Sequence, residues 1–147
     1  MQINFLSSKI IHAAVSVHRE LGPGLLESVY QACMLKELRN MELQVESELP
    51  VPVFYKGDLV SHEGFRIDLL VEDRIIVELK SVEAVQPVHK KQLLTYLRLT
   101  NKELGLLINF GEALLKKGIC RIINSPKSHS LASLGSSDLE SEEGNQV

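Results

Sequence analysis

The sequence predicts an α/β fold in which helices flank a mixed β-sheet, and three features of the chain carry this prediction. Two segments with apolar residues at helical spacing come first, and several segments with strand-like patterns follow them. Near the end, an almost entirely apolar segment has the composition of a buried strand. The expected order is therefore helix, helix, a meander of antiparallel strands, a crossover helix and two further strands.

Two helices open the chain. The first is expected from Ser8 to Leu21, and a Gly-Pro-Gly stretch at residues 22–24 ends it. The second is expected from Leu25 to Met41. Its buried residues should be Leu25, Val29, Ala32, Cys33 and Leu38.

The remaining elements alternate between strands, turns and one helix. Strands are expected at residues 43–48 and 51–55, with a Lys-Gly-Asp turn after them, and again at 65–71 and 75–80. A helix is expected from about Pro87 to Thr100, because proline suits the first turn of a helix. The last expected strands are Gly105 to Phe110, which is buried, and Ile119 to Ile123.

The most informative stretch is FRIDLLVEDRIIVELK, residues 65–80, because a short loop at Glu72-Asp73 would fold its two strands together. Strict alternation would place Phe65, Ile67, Leu69 and Val71 on one face of the first strand, and Arg66, Asp68 and Leu70 on the other. In the second strand Ile75, Val77 and Leu79 would form the apolar face, opposite Ile76, Glu78 and Lys80.

Two carboxylates, Asp68 and Glu78, and the ammonium group of Lys80 would therefore share one face of the sheet. Mg²⁺ or Mn²⁺ prefers oxygen ligands, so the carboxylates could hold such an ion next to a substrate phosphate. Lys80 could then orient a water or offset charge on the phosphate. The alternative is an ordinary solvated hairpin whose charged residues, including Arg66, form cross-strand ion pairs.

Further blocks of sequence point to a family. Residues 24–30, GLLESVY, fit the pattern GxxExxY. Together with FRIDLLV, IIVELKSVE, LGLLINFG and the helix that carries His89, Gln92 and Tyr96, they resemble the GxxExxY family of the PD-(D/E)XK nuclease superfamily. The resemblance extends roughly from Ile10 to Ile123.

This resemblance implies a restriction-endonuclease-like core with Asp68, Glu78 and Lys80 at the signature catalytic positions. Glu27 would correspond to the acidic residue on the first core helix, as a further metal ligand or base, and Gln92 to an auxiliary glutamine. Ile67 replaces the proline of the "PD" motif, a loss that the superfamily tolerates. For Glu27 there is also a simpler explanation, because a carboxylate in the first turn of a helix is favoured by the helix dipole.

Four other residues are candidates for substrate contacts, each with a structural alternative. Tyr30 could contact Glu27, line the cleft or pack in the core. Arg66 could bind phosphate or pair with an acid. His89 and Tyr96 share a helix face with Gln92, which could look onto the site, although a lone histidine is often a capping residue.

The net charge argues against a protein that binds nucleic acid through a strongly basic surface. The chain carries a net charge of −3, and residues 1–123 contain 15 basic and 15 acidic side chains. Residues 124–147 are rich in serine, glycine and acids, so we expect a disordered tail after a single domain at residues 1–123.

Composition also bounds the compartment. No apolar stretch is long enough to span a bilayer, and the N-terminus lacks a signal-peptide layout. Cys33 and Cys120 are predicted to be buried free thiols without metal-ligand spacing. A cytoplasmic protein is expected.

Two functions from different classes follow. The first is a Mg²⁺- or Mn²⁺-dependent nuclease that hydrolyses phosphodiester bonds in DNA or RNA. The second is a non-catalytic module of the same fold that binds nucleic acid, a nucleotide or a protein partner. So small a core would need a homodimer or a partner to cut both strands of a duplex.

Overall fold

The computed structural model describes residues 1–125, which form three α-helices and one five-stranded sheet. In chain order the elements are α1 (Ile3–Leu21), α2 (Glu27–Asn40), β1 (Val45–Tyr55), β2 (Asp58–Val71), β3 (Ile75–Lys80), α3 (Pro87–Thr100), β4 (Leu104–Asn109), a short 3-10 helix (Leu115–Gly118) and β5 (Ile119–Ile123). The predicted mixed sheet flanked by helices is confirmed.

The strands lie in the sheet in the same order as in the chain, β1-β2-β3-β4-β5. β3 and β4 are parallel, with Ile75 opposite Leu104 and Lys80 opposite Asn109, and the other neighbouring pairs are antiparallel. Parallel neighbours need a long connection, which α3 supplies. The carboxyl ends of β3 and β4 therefore meet at the same edge of the sheet.

Helices cover both faces of the sheet. The larger core lies between α1, α2 and one sheet face, where Leu6, Ile10, Met34 and Leu38 pack with residues such as Val77 and Ile108. The smaller core lies under α3, where Leu93 and Leu97 pack against Ile67, Leu70, Ile76 and Leu107. Because both faces are covered, the inner strand β4 is buried along its whole length, as its apolar composition predicted.

The structure corrects the predicted face of the second helix. α2 begins at Glu27, so Leu25 lies in the preceding loop, and Val29 and Ala32 are exposed. The buried stripe is instead Tyr30, Met34 and Leu38, at the i, i+4 spacing of one helix face. Cys33 is half-buried beside this stripe, and both it and Cys120 carry free thiols.

Other boundaries also differ from the prediction, and β2 begins at Asp58 rather than at the expected residue 65. α1 begins at Ile3, five residues before the expected start at Ser8. The two short strands expected at 43–48 and 51–55 are one continuous strand, β1, with positive φ at Glu48 and register shifts between Val51 and Phe54. Local irregularity inside one strand thus looked like a break in the sequence pattern.

The predicted tail begins with a residue that is part of the fold. Asn124 is buried, and its side-chain amide donates hydrogen bonds to the carbonyl oxygens of Leu97 and Lys102. The rest of the predicted disordered segment, from residue 126, lies outside the described residues. In residues 1–125, no helix has the length and apolar character that a membrane crossing requires.

Candidate active site

Asp68 on β2 and Glu78 on β3 are joined where the ladder between their strands gives way to side-chain contacts. Paired residues extend from Val71 and Ile75 to Leu69 and Val77. Beyond them the amide of Asp68 donates to Oε2 of Glu78 over 2.9 Å, and the amide of Leu79 donates to Oδ2 of Asp68 over 2.8 Å. Each carboxylate is therefore held by the backbone of the opposite strand.

This junction overturns the strict alternation that the sequence predicted for β2. Ile67 and Leu70 both pack in the core under α3, whereas Leu69 and Val71 pack in the core under α1 and α2. The change of face occurs across Asp68, where side-chain hydrogen bonds replace the regular ladder. On β3 the prediction is confirmed, because Ile75, Val77 and Leu79 share the larger core.

Burial shapes the electrostatics of this pair. Desolvation is the main cause that raises the pKa of Glu78, to about 8, and the negative charge of Asp68 raises it further. Desolvation likewise raises the pKa of Asp68, while the hydrogen bond from the Leu79 amide lowers it. Both carboxyls thus hold their protons more tightly than free carboxyls do, and a bound cation would favour their ionised forms.

Three further charged groups act on Asp68. Glu27, at the start of α2, and Glu48, on β1, both raise its pKa, and Lys80 lowers it. Lys80 is half-buried at the end of β3 and also lowers the pKa of Glu78. Within residues 1–125, neither carboxylate of the pair forms an ion pair. Lys80 therefore stands near the pair without neutralising it.

The chemistry of the pair fits a hard divalent cation, because both candidate ligands are carboxylates. Among the residues that the structure describes, no three His, Cys, Asp or Glu side chains are grouped closely enough to hold a metal ion together. The structure thus brings Asp68 and Glu78 together but leaves Glu27 outside a common cluster. Mg²⁺ suits such a site, since it is commonly bound by one or two carboxylates with waters and substrate phosphate.

α3 carries three candidate residues, of which Tyr96 interacts electrostatically with the pair. The Tyr96 ring stacks on Phe65 with centroids 4.1 Å apart, and burial, then Glu78 and Asp68, raise the pKa of its hydroxyl. Gln92 is exposed on the same helix. His89 accepts the Gln86 amide proton at Nδ1, over 3.0 Å, and completes a capping box at the start of α3.

Two other candidates for substrate contact have structural partners. Arg66 is exposed and forms an ion pair with Glu63 of the same strand, rather than with Asp68. Tyr30 is completely buried, and its hydroxyl bonds to backbone atoms of residues 22 and 25. The packing role that the sequence left open for Tyr30 therefore fits the structure, and direct substrate contact does not.

Sequence reasoning missed Glu48 and Asn109. Asn109, at the end of β4, is buried and bonds through its side chain to both the amide and the carbonyl of Val82, over 3.0 and 2.9 Å. It also accepts the Gly111 amide proton. The side-chain amide of Asn109 therefore fixes the backbone at Val82, two residues after Lys80. The sequence signal that could have found Asn109 is its place as a polar residue at the end of an apolar strand.

Comparison with known proteins gives one finding. The sequence model of the PD-(D/E)XK nuclease superfamily matches residues 4–122. The comparison with curated proteins finds no match for this chain. The observed five-stranded mixed sheet, in the described residues, is consistent with the restriction-endonuclease-like core of that superfamily. Since the match spans most of the sequence, the chain belongs to the PD-(D/E)XK nuclease superfamily.

Proposed function

We propose that this protein is a divalent-metal-dependent nuclease that hydrolyses phosphodiester bonds in DNA or RNA. The observation that carries the proposal is the Asp68–Glu78 pair, fixed by amides of the opposite strands, with Lys80 two residues beyond Glu78. Membership of the superfamily supports the same chemistry. We also assign the chain to the GxxExxY family, on the pattern at residues 24–30.

Asp68 and Glu78 would hold Mg²⁺ or Mn²⁺, and Glu27 would contribute from the start of α2 through a water or as a base. When bound, the ion supplies Lewis-acid polarisation of the phosphate and lowers the pKa of a water ligand. Metal binding would release protons from the pair, because both carboxyl pKa values are raised in the metal-free protein and the ion favours the ionised forms.

Lys80 would orient the attacking water or offset the negative charge that develops on the phosphate. The β3–β4 pairing and the Phe110 amide, which donates to the Lys80 carbonyl over 2.8 Å, fix its backbone at the end of the strand. Tyr96, near the pair, and the exposed Gln92 and Arg66 would contact the substrate. His89 would act by stabilising the start of α3 through the capping box.

Binding without catalysis is the second candidate function, and one observation favours it. In the described part of the chain, no third carboxylate joins Asp68 and Glu78 in a cluster that could hold a metal ion. A module of the same fold could then bind nucleic acid or a protein partner, with the acidic pair serving the structure. A homodimer would account for cleavage of both strands of a duplex if the nuclease is active.

Cleavage assays with labelled single- and double-stranded DNA and RNA test the proposal. We expect cleavage in Mg²⁺ or Mn²⁺ that stops in EDTA. Lys80→Met should lower the rate about 100-fold, because it removes the charge beside the phosphate. Cleavage that persists in EDTA, or none of any substrate in either metal, would contradict the proposed function, and nucleic-acid binding in the latter case would favour the binding module.

A further inference from the structure

The Tyr30 hydroxyl closes the loop that leads into α2. It accepts the Leu25 amide proton over 3.1 Å and donates to the Gly22 carbonyl oxygen over 2.5 Å. Gly22 and Gly24 both have positive φ, 71° and 104°, which glycine adopts without strain. The buried side chain of Tyr30 thus holds the turn between α1 and α2 at two points, Gly22 and Leu25. Leu25 lies two residues before Glu27.

The Tyr30 ring reaches the strand end that carries Lys80. It stacks on Phe110 with centroids 4.4 Å apart and planes 9° from parallel. The Phe110 amide in turn donates to the Lys80 carbonyl oxygen over 2.8 Å. The tyrosine therefore packs on the residue that fixes the backbone of Lys80.

A second hydrogen bond links the same loop to the site. Ser81, the residue after Lys80, donates its hydroxyl proton to the Leu25 carbonyl oxygen over 2.5 Å. Leu25 is consequently held at its amide by Tyr30 and at its carbonyl by Ser81. Leu25 thus links Tyr30 in the first turns of α2 to Ser81, the residue that follows β3.

We infer that Tyr30 is a positioning residue, which holds Glu27 and Lys80 in place around the Asp68–Glu78 pair without touching substrate. The inference rests on the proposed function for its catalytic consequence. Its structural part stands alone, because it concerns contacts within the chain. Backbone displacements of about 1 Å are enough to lower a rate by up to about 100-fold, so small losses of order here would be measurable.

Tyr30→Phe is the informative variant, because it keeps the ring against Phe110 and removes the hydroxyl. Met34→Ala is the matched control: Met34 is a buried residue one turn further along α2, and its truncation weakens the core without removing a loop contact. Hydrogen exchange of the Leu25 amide, steady-state cleavage and Mn²⁺ affinity are measured on both variants and wild type, below their unfolding temperatures.

For Tyr30→Phe we expect Leu25 exchange about 10-fold faster, since the amide loses its acceptor. We expect kcat to fall about 10-fold with KM within about 3-fold, and Mn²⁺ affinity to fall about 10-fold, as for other residues that orient a metal site. Met34→Ala should lower stability more but leave Leu25 exchange and kcat close to wild type.

Unchanged Leu25 exchange in Tyr30→Phe would overturn the inference, whatever the activity. Faster exchange with wild-type kcat would also overturn it, because the loop would then move without disturbing the site. If wild type cleaves no substrate, the proposed function fails, but the positioning role of Tyr30 is still tested by Mn²⁺ affinity. A Tyr30→Phe variant that binds Mn²⁺ as wild type does would then overturn the positioning role.

Discussion

Asp68 and Glu78 each accept a backbone amide from the strand of the other, at 2.8 and 2.9 Å. This exchange replaces two main-chain ladder bonds with side-chain bonds and fixes both carboxylates at one edge of the sheet. It also leaves both groups partly buried, and desolvation is the main cause that raises the pKa of each. A cation bound to the pair would favour the ionised form of both carboxyls and offset this desolvation.

The pH dependence of stability should report the raised pKa of Glu78 in the metal-free protein. Glu78 has a pKa of about 8 in the fold against an ordinary value of 4.5, so the native state binds its proton more tightly than the unfolded state does. The contribution of this proton to the free energy of unfolding is fully present below about pH 4.5 and is lost as the pH rises through 8. Urea unfolding in EDTA, from pH 5 to 8.5, measures this loss.

Glu78→Gln keeps a neutral side chain at every pH and should remove that dependence. The variant should be similar to wild type at pH 5 and more stable at pH 8.5, by on the order of a few kcal/mol. Glu83→Gln, at an exposed position, should follow wild type throughout. Parallel curves for wild type and Glu78→Gln would show that the pKa of Glu78 is not raised.

Glu27 should contribute to catalysis through its charge near Asp68. Glu27→Gln removes that charge but keeps the shape of the side chain, and we expect cleavage to fall about 10-fold or more. Glu20→Gln, near the end of α1 and exposed, is the control and should cleave as wild type does. Equal rates for the two variants would leave Glu27 with only a helix-dipole role.

Arg66 should act in substrate binding, in competition with its partner Glu63. Arg66→Gln should raise KM a few-fold without changing kcat, because one exposed phosphate contact is lost. Glu63→Gln should lower KM, since it releases Arg66 for phosphate, and its effect should shrink at high salt. If both variants keep the KM of wild type, Arg66 is an ordinary surface ion pair of small energetic value.

Asn109→Ala should destabilise the fold by about 2–4 kcal/mol, because three buried or partly buried backbone groups lose their partner. These groups are the Val82 amide and carbonyl and the Gly111 amide. Urea unfolding measures the change. Asn40→Ala, at the exposed end of α2, should stay within about 0.5 kcal/mol of wild type. A loss below about 1 kcal/mol for Asn109→Ala would contradict this account of the loop.

Most of the fold was predictable because its elements follow simple periodicities. α3 and β5 have the predicted bounds, and β4 starts and ends one residue before its prediction. Asp68 and Glu78 were predictable as neighbours because a short loop joins their strands. The change of face within β2 was not, since it depends on side-chain bonds that no periodicity encodes.

The supporting residues were harder to predict. Tyr30 was ambiguous because a half-polar aromatic suits both a cleft and a core, and its partners are backbone atoms of a loop. Glu48 looked like the end of a strand, whereas it lies within β1 and acts on Asp68 across the sheet. Contacts between elements decide such roles, and a single sequence does not specify them.

Calorimetric titration with Mn²⁺ at pH 8 tests the central claim most directly. We expect wild type to bind Mn²⁺ at a site that both Asp68→Asn and Glu78→Gln abolish, because each removes one of the two charged ligands. Lys80→Met should bind Mn²⁺ at least as tightly as wild type, since a nearby positive charge is gone, although it cleaves poorly. Equal Mn²⁺ affinity in wild type and both carboxylate variants, or no binding to any of them, would contradict a metal site at the Asp68–Glu78 pair.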